Sequence, residues 1–171
     1  EAASADYDGD GFPNVFEFNH SSDPALDADY PEFADVQSGA FHYFIVDASL
    51  TTDTTFKKRS LQPAISSAND FDIIEVLPGT YQEALYIHDR LYLFGSAGAR
   101  NTIVDLSSDL QGETSSCLTL GSESVVSGLT FRGARNRHYD FDGGGVHISV
   151  HSDYNQPRFV GCRIIDNHVG G

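Results

Sequence analysis

The chain has 171 residues, of which 40% are hydrophobic and 20% are charged, a composition typical of a globular protein and not of a disordered one. Its net charge of −15 would repel nucleic acid and anionic membranes, so both are excluded as general partners. The sequence has no apolar run approaching the roughly 18 residues that a membrane-spanning helix needs, which excludes membrane insertion.

The acidic residues are concentrated at the N-terminus. Residues 1–36 contain ten of the 25 acids and no Lys or Arg. Residues 6–17 form a twelve-residue pattern with carboxylates at positions 1, 3, 5 and 12, a glycine at position 6 and a main-chain carbonyl at position 7. Ca²⁺ takes six to eight oxygen ligands, and the glycine permits the sharp bend that such a loop requires. The pattern predicts a calcium site with these ligands: Asp6, Asp8, Asp10, the carbonyl of Phe12, and Glu17. The alternative is an acidic turn without an ion.

The same run resembles the thrombospondin type 3-like and dockerin-like calcium repeats of secreted proteins. Residues 6–13 read Asp-x-Asp-x-Asp-Gly-x-Pro, residues 15–18 would form the short helix that follows, and residues 22–24 (Ser-Asp-Pro) would form its exit. The resemblance implies a mainly structural calcium site. A second repeat near residues 27–29 lacks the Asp-Gly step, so we expect at most a degenerate neighbour. We therefore assign residues 1–36 to a calcium-binding repeat and linker.

The rest of the chain is dominated by short apolar segments. Residues 41–46 predict a strand, and apolar residues with helical spacing predict a helix over residues 57–69. Further predicted strands are joined by Gly, Ser, Asn and Asp turns, which indicates an all-β protein; they cover residues 73–77, 84–87, 91–95, 102–105, 117–121, 125–131, 145–148 and 158–165. An antiparallel sandwich and a stacked solenoid both fit. Residues 127–131 can be aligned with residues 161–165, and such internal similarity favours the solenoid.

Roughly residues 40–171 resemble the pectate lyase-like right-handed β-helix superfamily, and we assign residues 37–171 to the N-terminal part of such a β-helix. The resemblance depends on residues 61–65, on residues 72–83 with their Pro-Gly-Thr-Tyr-Gln-Glu ending, and on residues 91–96 and 126–131. The Gly-Gly segments at residues 143–148 and 167–171 are also similar to surface proteins of the polymorphic outer-membrane type. The resemblance implies a right-handed parallel β-helix with an N-terminal capping helix. Because residues 170–171 would normally begin another coil, we expect further coils in the parent protein.

The superfamily contains lyases, hydrolases, epimerases and non-catalytic adhesins, so the resemblance does not define an activity. The candidate catalytic residues lie in one mixed loop that follows Arg132: Arg135, Arg137, Asp140 and Asp142. The arginines could bind an acidic sugar or remove a proton beside its carboxylate, and the two aspartates could act as a hydrolase pair. The alternative, which we favour, is a surface loop with local ion pairs.

Two further groups of residues have more than one interpretation. His147, His151 and Asp153 could hold a transition metal, but His147 alternates with apolar residues and fits better as a strand residue. Cys117 and Cys162 could form a disulfide in an oxidising compartment or could be small buried hydrophobic residues.

Two functional hypotheses remain. The first, which we prefer, is a secreted or cell-surface calcium-binding β-helix module for adhesion, assembly or glycan contact, with acidic polysaccharide or other extracellular surface proteins as partners. The second is the N-terminal part of a calcium-dependent polysaccharide lyase or glycoside hydrolase. The lack of lysine after residue 58 and of a clear pair of acids favours the first hypothesis.

Overall fold

The computed structural model describes residues 42–108, 116–121, 123–136, 144–149 and 157–169. Short strands account for almost all of the regular structure in these ranges, and the sole described helix has five residues. In chain order the elements are β1 Tyr43–Val46, β2 Lys57–Lys58, α1 Leu61–Ile65, β3 Ile73–Val76, β4 Gly79–Tyr81, β5 Leu85–Ile87, β6 Tyr92–Gly95, β7 Thr102–Asp105, β8 Leu118–Leu120, β9 Val125–Ser127, β10 Thr130–Arg132, β11 Arg135–Asn136, β12 Val146–Ile148, β13 Arg158–Val160, β14 Arg163–Ile165 and β15 His168–Val169.

Every described strand pair is parallel. The strands form four sheets: sheet A with the order β13-β9-β6-β3-β1-β2, sheet B with β14-β10-β7-β4, sheet C with β12-β8-β5, and sheet D with β11-β15. From β3 onward, consecutive strands belong to different sheets, and strands at equivalent positions of successive turns pair with each other. This is a parallel β-solenoid of about three turns, which confirms the solenoid and excludes the antiparallel sandwich.

The strand register gives the length of each turn. In sheet A, Tyr43 lies beside Ile73, Ile73 beside Tyr92, Tyr92 beside Val125 and Val125 beside Arg158, so the successive steps are 30, 19, 33 and 33 residues. The alignment that we predicted paired Ser127 with Gly161, but Ser127 lies beside Val160. It was therefore wrong by one residue.

The backbone conformation at one corner of the coil explains the observed register. This register places Gly128 and Gly161 at the same corner of successive turns, and both have positive φ angles, of 63° and 60°. Glycine adopts this conformation without the steric cost that other residues meet. The corner also divides residues 125–131 and 158–165, each predicted as one strand, into two strands apiece.

The core lies inside the coil. One row of inward side chains in sheet A and another in sheet B are buried against each other: Phe44, Ile74, Leu93 and Val126 in sheet A, and Tyr81, Val104 and Phe131 in sheet B. Leu85 and Leu118 of sheet C join them. Burying a side chain such as Phe131 stabilises the fold by roughly 1.5–3 kcal/mol, so stacking of like rows is the main source of stability.

Helix α1 packs on the first turn. Leu61, Ala64 and Ile65 are buried, and Ser60 at the helix start makes no side-chain cap. Instead the Glu83 carboxylate accepts hydrogen bonds from the backbone N–H groups of Leu61 and Gln62, at 2.8 and 2.9 Å. The helix is shorter than predicted because residues 57–58 form β2 beside β1. Its role as a cap stays a prediction.

The Pro-Gly-Thr-Tyr-Gln-Glu segment has a structural role. It begins at the corner between β3 and β4, in the middle of the first turn and not at its end. The Tyr81 hydroxyl donates to the Leu77 carbonyl at 2.9 Å, and Glu83 holds the helix. The Gln62 side chain in turn pairs with both backbone groups of Tyr86 on the edge strand β5.

Within the described ranges, no helix has the length and apolar character needed to cross a bilayer.

Candidate functional site

A polar cleft of about 280 Å³ opens on the side of the solenoid where sheets B and D meet. It is formed by residues from three successive turns. Its lining residues are Ser107 after β7, Arg132, Gly133 and Arg135 on the next turn, and Asp166 and His168 on the last described turn. Arg135 and His168 lie side by side in sheet D.

An ion pair holds one wall of the cleft. The Arg132 guanidinium donates to Oδ2 of Asp105 through Nε at 2.8 Å and Nη2 at 2.7 Å, and the backbone N–H of Ser107 donates to Oδ1 at 2.8 Å. The Asp105 side chain is 7% exposed and that of Arg132 is 39% exposed. Burial acts to raise the pKa of Asp105, but the hydrogen bonds from Ser107 and Arg132 outweigh it and the net pKa lies below the usual range. Asp105 is therefore an ionised residue that positions Arg132, and not a proton donor.

The floor of the cleft is backbone. Gly133 has a φ of 78°, and a Cβ atom there would lie 2.8 Å from Oδ1 of Asp105 and would overlap the backbone nitrogen of Ser107. The equivalent corner one turn later is Asp166, whose φ is 54° and whose carbonyl accepts a hydrogen bond from the Gly133 N–H. Aspartate is among the residues that tolerate this region. Glycine at position 133 thus lets two turns approach closely beneath the lining side chains.

Asn167 lies beneath this floor and ties two turns together. Its Oδ1 accepts from the Ala134 N–H and its Nδ2 donates to the Phe131 carbonyl, both at 3.0 Å. A side-chain amide with both ends bonded to the neighbouring turn fixes the spacing of the strands on either side of it. The relative positions of Arg135 and His168 are therefore set by the backbone.

Of the predicted catalytic residues, the structure describes Arg135, which lines the cleft. Arg137, Asp140 and Asp142 lie outside the described residues. Sequence reasoning missed Asp105, Ser107, Asp166 and His168, because they lie in different turns and come together only when the strand register is known. The sequence indicated this cleft only through the closely spaced arginines at positions 132 and 135.

The predicted metal sites are not tested by the described part of the chain. The calcium ligands lie outside it: Asp6, Asp8, Asp10, Phe12 and Glu17. His151 and Asp153 also lie outside it, and His147 is a half-buried residue of β12, in register with Thr119. Among the described residues, no three His, Cys, Asp or Glu side chains converge as a metal site.

Neither cysteine is in a disulfide. Cys117 is buried and Cys162 is partly buried, and both pack with the core. The Cys117 thiol donates to the Arg132 carbonyl at 3.2 Å, and its burial raises its pKa to about 11. Burial also raises the pKa of Cys162. The thiols therefore behave as small hydrophobic residues, the second of the two predicted interpretations.

Comparison with known protein families, with curated proteins and with solved structures finds no match for this chain.

Proposed function

We propose that the chain is a secreted or cell-surface calcium-binding β-solenoid module, right-handed and pectate lyase-like, that contacts glycans through the cleft at Arg132 and Arg135. The observation that supports this proposal is the convergence of two arginines, a histidine, an aspartate and a serine in one open groove. Sugars are bound by such groups because hydroxyl and carboxylate oxygens match guanidinium donors and carboxylate acceptors. A module of this kind would serve adhesion or assembly at a surface.

The charges in the cleft limit the ligand that it suits. The charge of Arg132 is largely neutralised by Asp105, whereas no ion pair joins Arg135 to an acidic residue in the described part of the chain. Arg135 is therefore the guanidinium in the lining that we expect a ligand carboxylate to contact. The net charge of −15 opposes a polyanion at long range. The cleft therefore fits a short segment with one carboxylate and several hydroxyls better than a densely charged polymer.

The test is binding of short oligosaccharides that carry a single uronic acid residue, measured by calorimetry, to the wild-type chain and to two charge-matched variants. Arg135→Ala removes a lining guanidinium, and we expect affinity to fall at least about tenfold, the effect of losing one charge-assisted pair. Arg163→Ala removes an exposed arginine in β14 that does not line the cleft. Equal loss in both variants, or no binding by the wild type to acidic or neutral oligosaccharides, contradicts the proposal.

Calcium is proposed for the loop of residues 6–17, with Asp6, Asp8, Asp10, the Phe12 carbonyl and Glu17 as ligands. The support is the spacing of these oxygens, which matches the coordination that Ca²⁺ requires. Chelation should lower the melting temperature reversibly, because a ligand that binds only the folded form stabilises it. Asp8→Asn should remove most of that response, and Asp29→Asn, in the degenerate second segment, should keep it. An unchanged transition in chelator would exclude the site.

A second candidate is a calcium-dependent polysaccharide lyase or glycoside hydrolase. The observation that favours it is the position of Arg135 in a cleft beside His168 and Asp166. Incubation with polygalacturonate and alginate in calcium, followed by detection of unsaturated or reducing products, decides between the two. Product that disappears in Arg135→Ala would support the enzyme, and binding without product would support the non-catalytic module.

A further inference from the structure

The ion pair at the edge of the cleft presents its two partners unequally to a ligand. The Asp105 side chain is nearly buried, whereas that of Arg132 is partly exposed. Arg132 lines the cleft and Asp105 does not. The carboxylate therefore lies behind the guanidinium, and it can act on a ligand only through its partner.

The strand register gives Arg132 one acidic neighbour in its row. On one side of β10, Asp105 of β7 lies in register with Arg132, and on the other side Ile165 of β14 does. Neighbouring strands lie about 4.8 Å apart, so side chains in register are close enough to interact directly. Asp105 is the acidic residue that forms an ion pair with Arg132 in the described part of the chain.

The Asp105 carboxylate is fixed in its orientation and in its charge. Oδ1 accepts from the Ser107 backbone N–H at 2.8 Å, and Oδ2 accepts from two nitrogens of the Arg132 guanidinium at 2.8 and 2.7 Å. These hydrogen bonds keep the pKa of Asp105 below its usual range. The negative charge is therefore present at neutral pH, and the carboxylate cannot turn away from Arg132 without losing its bond to the backbone.

Arg135 provides the contrast within the same groove. Its side chain is exposed, and its neighbour in sheet D is His168. No ion pair joins it to an acidic side chain among the residues that the structure describes. The cleft thus contains one guanidinium with a compensated charge and one that can pair with a ligand carboxylate.

We propose that Asp105 sets the charge selectivity of the cleft: by neutralising Arg132, it favours glycans that place one carboxylate in the groove over glycans that place two. This inference rests on the proposed function and adds the residue that determines which acidic glycans bind. A carboxylate at Arg135 gains a charge-assisted hydrogen bond. A second carboxylate at Arg132 would compete with Asp105 for the same donors and would be repelled by its charge, so it gains little.

Arg132 keeps a role towards neutral groups of the ligand. A guanidinium has five N–H donors, and the bonds to Asp105 are made through Nε and Nη2. The remaining donors can bind sugar hydroxyls, which are neutral acceptors and are not repelled by Asp105. The pair therefore discriminates between a hydroxyl and a carboxylate at the same position of the ligand.

The test compares two disaccharides of similar size by calorimetry: galactosyl-galacturonate, which has one carboxylate, and digalacturonate, which has two. For the wild-type chain we expect the two affinities to agree within about threefold, because the second carboxylate meets a neutralised guanidinium. Asp105→Asn releases the Arg132 guanidinium. The ratio of the digalacturonate affinity to the galactosyl-galacturonate affinity should then rise at least about fivefold, through one additional charge-assisted contact.

Two further variants separate this effect from a change in net charge. Asp70→Asn also removes one acid from an ion pair with an arginine, Arg90, but neither residue lines the cleft. The affinity ratio should stay at its wild-type value in this control. In Asp105→Asn/Arg132→Gln no guanidinium is released, so the ratio should not rise. Circular dichroism checks that each variant is folded.

The results distinguish this inference from the proposed function. An unchanged ratio in Asp105→Asn, an equal rise in Asp70→Asn, or a rise that persists in the double variant overturns the role of Asp105 and leaves glycan binding intact. A wild-type chain that binds digalacturonate more than about tenfold more tightly also overturns it, and that measurement needs no variant. Binding of neither disaccharide by the wild type contradicts the proposed function and, with it, the proposed selectivity.

Discussion

Three glycines at one corner of the solenoid allow the energy of turn stacking to be separated from backbone strain. Gly95, Gly128 and Gly161 are 33 residues apart and occupy equivalent positions in successive turns. Gly161 has a φ of 60° and open space around a Cβ atom. Gly128 has a φ of 63°, and its Cβ would lie 2.9 Å from the Gly95 carbonyl oxygen. Gly95 does not have positive φ, but its Cβ would overlap the Gly128 carbonyl.

The three alanine variants should therefore lose different amounts of stability. Alanine in the left-handed region costs about 1–2 kcal/mol, and replacing glycine regains about 0.4–1 kcal/mol by restricting the unfolded chain. Gly161→Ala should then cost about 1 kcal/mol. Gly128→Ala adds an overpacking cost of about 1–3 kcal/mol, for a total of about 2–4 kcal/mol. Gly95→Ala has the overpacking cost without the strain, and after the same regain from the unfolded chain it should lose about 1–2 kcal/mol.

Urea unfolding followed by tyrosine fluorescence can measure these losses, since the chain has eight tyrosines and no tryptophan. The comparison of Gly128→Ala with Gly161→Ala is the decisive one, because their φ angles differ by only a few degrees. Equal losses at the two positions would refute the reasoning: the close approach between the turns would then contribute nothing.

Three other predictions concern single side chains. Glu83→Gln should lower the free energy of unfolding by about 1 kcal/mol through weaker capping of α1, and the exposed neighbour Gln82→Ala should change it by less than about 0.5 kcal/mol in urea unfolding. The pKa of Asp105 is lower in the folded protein than in the unfolded chain, so the Asp105 carboxylate stabilises the fold above the unfolded-state pKa near 4, and this stabilisation is lost as pH falls through the folded-state pKa. Asp105→Asn should therefore make the free energy of unfolding fall less steeply below about pH 4. An unchanged dependence of that free energy on acid pH would contradict this. Burial raises the pKa of Cys117 to about 11, so the thiol should react slowly with a thiol reagent at pH 8 in the folded protein and fast in urea. Fast reaction under both conditions would show that the Cys117 thiol is accessible to solvent.

The strands could be predicted from the sequence because their signal is local. Apolar and β-branched runs such as residues 102–105 define a strand by themselves, and that one was predicted with its observed bounds. The register could not be predicted, because stacking between turns depends on which residues form each corner. A one-residue error moved the predicted repeat away from Gly128 and Gly161, whose shared positive φ is visible only in the structure.

Helix α1 shows a different limit. Apolar spacing suggested a helix of thirteen residues, but residues 57–58 gain more by pairing with β1, which gives their backbone groups hydrogen-bond partners. The start of the helix is fixed by Glu83, more than twenty residues away in sequence. No local capping pattern could have indicated that start.

The cleft wall differs from the inward rows of the solenoid in how its positions change from turn to turn. The inward rows repeat apolar residues, as Ile74, Leu93 and Val126 do. The row through the cleft wall changes from Asp105 to Arg132 to Ile165. Outward rows vary elsewhere as well, since the outward row of sheet A runs from Glu75 to Phe94, Ser127 and Val160. What distinguishes the cleft wall is that a carboxylate and a guanidinium lie opposite each other on adjacent turns and form an ion pair. The pair holds the Arg132 guanidinium at the edge of the groove, an arrangement that suits the binding role proposed for the cleft.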